Sequence, residues 1–155
     1  MLACILVKQY FPTKTIVMNA KKFLISGLVG GVVSFFVGFA IYGVLLAKVM
    51  GNSTGTATNV MRGSTEMVYW SIMLGSLFMG LTLAYIFAKA NINTVGSGIV
   101  VGAIAGFLII AGHDFTSYGT SNLFNMNGLL IDVCASTVMQ AITGAAIGFV
   151  NSKLK

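Results

Sequence analysis

Apolar residues run in four long blocks, about 23–47, 67–88, 95–112 and 128–150, with short polar stretches between them. At ~1.5 Å per residue, each block is long enough to cross a hydrocarbon layer of ~30 Å as a helix. Asp132 is the single charged side chain inside them. The pattern predicts an all-α integral membrane protein, a four-helix bundle. Gly98, Gly102, Gly106 and Gly112 would weaken the third helix in water. In lipid no water competes for the backbone, so the same segment stays helical.

The connections differ in kind. The stretch from Lys48 to Glu66 carries Gly-Asn-Ser-Thr-Gly-Thr-Ala-Thr-Asn at 51–59, too small-residued to pack a core, and is expected to be loosely ordered. Lys89 to Thr94 reads as a tight turn. His113 to Asn127 mixes Phe115, Tyr118, Leu123, Phe124 and Met126 into Ser, Thr and Asn. Such a loop lies at headgroup level or dips back into the bundle. Residues 1–17 form an N-terminal extension, either a surface helix or disordered: the apolar start is too short to span, has no basic leader, and Pro12 interrupts any helix. The four-span domain takes up residues 18–155.

Composition narrows the class. Hydrophobic residues make up 57% and charged residues 8%, with mean hydropathy +0.94. A soluble domain carries about 25% charged residues. A disordered chain, a disulfide scaffold and a water-soluble globule are thereby excluded. The net charge of +6 comes from lysines and arginine placed between apolar blocks, without interleaved aromatics. It therefore signals topology and no nucleic-acid partner. Seven lysines (8, 14, 21, 22, 89, 153, 155) lie on the side of the termini and the 89–94 turn, against Lys48 and Arg62 on the other. The positive-inside rule then places both termini in the cytoplasm, in a multi-pass protein of the bacterial inner membrane. Cys4 and Cys134 have no ligand spacing.

Small residues recur every four positions: Gly30, Ser34 and Gly38 on the first span, Ser76, Gly80, Ala84 and Ala88 on the second, Gly98, Gly102 and Gly106 on the third, Gly144 and Gly148 on the fourth. Residues four apart share a helix face, and small ones let backbones approach where lipid supplies no hydrophobic drive. The stripes predict tight bundle packing or a homo-oligomer seam; a channel-forming glycine zipper is the sharper alternative. On the fourth span Asp132, Ser136, Gln140 and Thr143 fall within an arc of roughly 80°. A polar ladder in a span faces the bundle or a wet path. It is either a site for a cation, a proton or a polar substrate group, or a hydrogen-bond network that fixes packing with Asp132 near the helix start. His113, at the end of the third block beside Asp114, is positioned to approach Asp132 as an acid–imidazole pair, or is an ordinary interfacial residue. One His and one Asp fall short of a metal set, so no metal is expected, nor any cofactor. Nucleotide-binding, HExxH, GxSxG and paired-carboxylate glycosidase patterns are missing from the sequence, and it does not read as an enzyme.

Ser26-Gly27-Leu28-Val29-Gly30-Gly31 resembles Ser97-Gly98-Ile99-Val100-Val101-Gly102, with Phe36 and Phe107 in the same register. The match suggests two duplicated helical hairpins, the alternative being chance similarity between two Gly/Val-rich helices. The run Gly38-Phe39-Ala40-Ile41-Tyr42-Gly43-Val44-Leu45-Leu46-Ala47-Lys48 resembles a small bacterial four-span membrane-protein family known only as a domain of unknown function. Gly75 to Lys89 and Leu129-Leu130-Ile131-Asp132 are similar in layout to it. Val44 stands where that family usually has Pro, and Met50 where it has Trp. The resemblance covers about Met18 to Val150 and implies architecture without an activity.

Two functions fit these residues. One is a structural or accessory subunit, in lipid, assembled through its small-residue faces as a homo-oligomer or within a larger membrane complex. The other is a minimal transporter or channel whose path uses the ladder on the fourth helix.

Overall fold

Each apolar block folds as a single helix, because a backbone without water must bond to itself. The computed structural model describes residues 19–58, 62–63 and 65–154; the 1–17 extension lies outside them. The four spans are Ala20–Leu45, Tyr69–Ala90, Val95–Thr120 and Met126–Lys153. Side chains mark three of the starts: Asn19 caps the first span by accepting from Lys22 N (3.2 Å), Thr94 the third from Ser97 N (3.2 Å), and Asn125 the fourth from Gly128 N (2.9 Å). The second span ends on Asn91, left-handed at φ 55°, which lets the chain turn within four residues into the third.

The third helix does not stop at Gly112. It runs on to Thr120, so His113 and Asp114 are helical, and the link to the fourth span shrinks to 121–125. The loop expected over 113–127 is therefore mostly helix. Its Ser, Thr and Gly residues cost little at a helix end, where Thr116, Thr120 and Ser121 hydroxyls donate back to carbonyls four residues earlier. The first connection also departs from the loose loop expected of it. After a short helix, Ala47–Asn52, residues 53–57 lie antiparallel to 122–125 through Asn125 N to Ser53 O (3.1 Å), Gly55 N to Leu123 O (2.9 Å) and Ala57 N to Asn122 O (3.2 Å). This clasp ties the two connections together across one end of the bundle. Small residues serve it, because a side chain on Gly55 would run into the Asn122 backbone.

Helix contacts set the layout. The first span packs antiparallel on the second, and the third on the fourth. First and fourth then join the two hairpins, while second and third scarcely touch. The fourth span is accordingly the most buried and the third the least. The residues matched between the two halves occupy equivalent places: Gly27 and Gly31 face Leu81 and Leu77 of their own hairpin, and Gly98 and Gly102 face Gly144 and Gln140 of theirs. Phe36 and Phe107 point outward in both.

Burial is inverted relative to a soluble domain. Inside lie Ser26, Ser34, Ser136, Gln140, Thr143 and a run of glycines, with a small apolar cluster of Leu83, Phe87 and Ile147. Phe36, Phe78, Leu108 and Phe149 are exposed. Large apolar side chains turned outward from small and polar ones are the arrangement that hydrocarbon favours. The chain is a multi-pass membrane protein. Its seam makes a direct prediction. A side chain at Gly102 meets Gln140 O and, at 3.1 Å, Gly144 Cα, both backbone, so Gly102→Leu should destabilise the fold by roughly 1–3 kcal/mol. Gly112 faces open space, and Gly112→Leu should stay within about 0.5 kcal/mol of wild type in detergent unfolding.

Candidate functional site

Three packing stripes converge at the end of the bundle that carries the clasp. Continuing the four-residue step past Gly30, Ser34 and Gly38 reaches Tyr42. Continuing it past Gly98, Gly102 and Gly106 reaches Asp114 two steps on. Asp132 begins the stripe that passes through Ser136 and Gln140 to Gly144 and Gly148. These three ends meet.

Tyr42 sits in a π-helical stretch, Phe39–Leu45, that closes the first span. The wider turn slows the rotation of side chains about the axis, which keeps Tyr42 aimed at the fourth helix. Its hydroxyl is hydrogen-bonded to Ser136 Oγ at 2.7 Å and lies 3.4 Å from the Asp132 carbonyl oxygen. The half-buried Asp132 carboxyl has the Tyr42 hydroxyl and the Asp114 carboxyl as its side-chain neighbours. Asp114 is only 6% exposed, and its Oδ2 has no hydrogen-bond partner. Its Oδ1 is 3.2 Å from Nδ1 of His113, whose side chain is 75% exposed. The imidazole therefore pairs with its neighbour Asp114, and both groups lie close enough to Asp132 to act on its carboxyl.

The ladder on the fourth helix divides three ways. Asp132 and Ser136 belong to the cluster through Tyr42. Gln140 is fully buried, its Cβ and Cγ filling the notch at Gly106 (2.5 and 2.7 Å from where a β-carbon would sit), and both amide atoms lack partners. Thr143 is equally buried, but its hydroxyl donates to Met139 O (3.0 Å) in its own helix, which accounts for its polarity without a path. Among the described residues no group of three or more His, Cys, Asp or Glu side chains converges as a metal set would.

The packing residues are spent within the chain. Gly98, Gly102 and Gly106 lie against Gly144, Gly148, Gln140 and Ser136. Gly30 lies against Gly80 and Ile147, and Gly38 against the Met139 sulfur. Ser34 is buried. Comparison with protein-family models, curated proteins and solved structures found no match to this chain.

Sequence reasoning passed over Asp114 and Tyr42 as members of the site. The signal was available in the stripe spacing, extended past the apparent end of the third block. The Tyr42–Ser136 bond links the two hairpins and should register as a coupling. In a double-mutant cycle of Tyr42→Phe with Ser136→Ala, the interaction energy should be about 0.6 kcal/mol, the mean of interhelical hydrogen bonds in membranes, and below their maximum of about 1.7 kcal/mol. A coupling indistinguishable from zero would mean the hydroxyls are independently solvated.

Proposed function

We propose that this protein is a small carrier or channel for a proton or a small cation, with the Asp114–Asp132 pair as its binding site. The observation that carries the reading is the contact between two carboxyl groups on facing membrane helices, one of them with an orphaned oxygen. Two carboxylates side by side near the end of a membrane helix repel each other, and Asp114 Oδ2 has no donor. A proton or a cation between them supplies the missing partner. Asp132 alone is thin provision for transport, but Asp114 doubles the acidic groups, Tyr42 and Ser136 add hydroxyls, and exposed His113 links the pair to the surface. Further along the fourth helix, the unpartnered Gln140 amide offers the next polar stop. The lysine count supports an orientation with the lysine-bearing end in the cytoplasm of a bacterium and the acid pair toward the outer face.

Reconstitution tests it. Proteoliposomes under an imposed pH or cation gradient should show flux above empty vesicles, reduced at least tenfold by Asp114→Asn and by Asp132→Asn with folding retained. Flux that is absent in wild type, or indifferent to both substitutions, would sink the proposal.

A second reading, an accessory subunit or homo-oligomer, draws on the outward faces that the fold leaves over. The second and third spans are flanks, and Gly75 and Gly112 open onto nothing within 4 Å. Cross-linking in native membranes should then trap a dimer or a larger complex, with Gly112→Leu lowering its yield. Monomer alone, before and after the change, counts against it.

A further inference from the structure

The opposite end of the bundle holds a second polar site. A cleft of about 150 Å³ opens where the first span begins and the second and fourth end, lined by Asn19, Lys22, Ser26, Asn91, Asn93 and Asn151 among others. An adjoining cleft shares Asn19 and Lys22 and adds Lys21 and Lys153. The volume is that of several water molecules, enough for a phosphate group and part of its ester.

Three features define what would fill it. Among the described residues no acidic side chain answers the positive charge here. Lys21 and Lys22 stand in the first turn of a helix with no acid in that turn, where the helix dipole is itself positive. The described acids Glu66, Asp114 and Asp132 belong to the other end, and among the described residues the sole ion pair is His113–Asp114. The Lys22 ammonium is held in place by a neutral group, donating to Asn93 Oδ1 at 2.9 Å, while Asn93 is anchored by donating to Asn91 Oδ1 at 2.8 Å. Finally, Asn151, a lining residue of the same cleft, is 5% exposed and donates to Ile92 O at 3.0 Å, leaving its buried Oδ1 without a partner. An anion satisfies the lysine. A hydrogen-bond donor beside that anion satisfies Asn151.

We propose that this cleft binds a phosphate group with a hydrogen-bond donor next to it, the chemistry of a phosphoethanolamine or phosphoglycerol headgroup. Free phosphate offers the same chemistry through its own hydroxyl. The cleft lies at the ends of three spans, the depth at which lipid headgroups sit, and basic pockets between membrane helices are known headgroup sites in general. The inference is independent of the acid pair, since it uses none of the same residues.

The test compares the full-length protein in vesicles of phosphatidylcholine alone, in phosphatidylcholine with phosphatidylethanolamine or phosphatidylglycerol, and in phosphatidylcholine with added inorganic phosphate. Phosphatidylcholine carries a phosphate, but its headgroup has no donor. Phosphatidylethanolamine or phosphatidylglycerol should raise the unfolding temperature by about 3 °C or more, and native mass spectrometry should show retained lipid. Both effects should vanish in Lys22→Gln. They should also vanish in Asn93→Asp, which sets a carboxylate against Lys22. An equal, Lys22-dependent gain from inorganic phosphate would support the site with the free ion as its source. No gain in any arm, or a gain that survives both substitutions, overturns it.

Discussion

Between membrane helices the hydrophobic effect offers no attraction, because lipid tails are as apolar as the side chains they would replace. Association then depends on how closely two backbones can come. In this protein that closeness is supplied where Gly98 and Gly102 meet Gly144 and the Gln140 backbone, and where Gly80 meets Gly31 and Gly30. Other features follow from it. With the seams filled by glycine and serine, large side chains such as Phe36 and Leu108 have no room inside and turn to lipid. The helices of each hairpin lock along their length, and the two hairpins join through the first and fourth spans.

Close seams also decide where polar groups can go. A carboxyl or an amide within a span is tolerated only against a neighbouring helix that can answer it. The fourth helix is the most buried, and it carries Asp132, Ser136 and Gln140. Tyr42 answers Ser136, and Asp114 lies beside Asp132. The π-helical turn that aims Tyr42 belongs to this logic: it bends the register of one helix to serve a contact made by another. The described part of the molecule is polarised as a result, with its acids gathered at the clasped end and lysines without acidic partners at the other.

Much of the architecture was legible in the residues themselves. Four helices, their order and their small-residue faces follow from block length and four-residue spacing, since both are consequences of helix geometry. The boundaries were less legible. His113 to Thr120 read as a loop because its residues are polar, yet a helix end outside the hydrocarbon accepts polar residues freely, and the clasp at 53–57 forms only because a distant loop offers carbonyls to it. Of the site, Asp132, Ser136 and Gln140 stood out as a ladder. Thr143 shared their face, but its hydroxyl is answered by its own turn.

Periodicity and composition, read along a single chain, determined the solvent, the helices and the face each helix presents, because these are properties of a segment and its surroundings. The partner of each face was decided only in three dimensions. Nothing in the spacing of Gly98 or Gly30 says whether it meets a second copy or another span of the same chain, and the packing spends both internally. Likewise, Tyr42, Asp114 and Asp132 lie far apart in sequence, and their meeting depends on three helices being aligned at once. Such a contact is a property of the assembly of helices, which no one of them encodes alone.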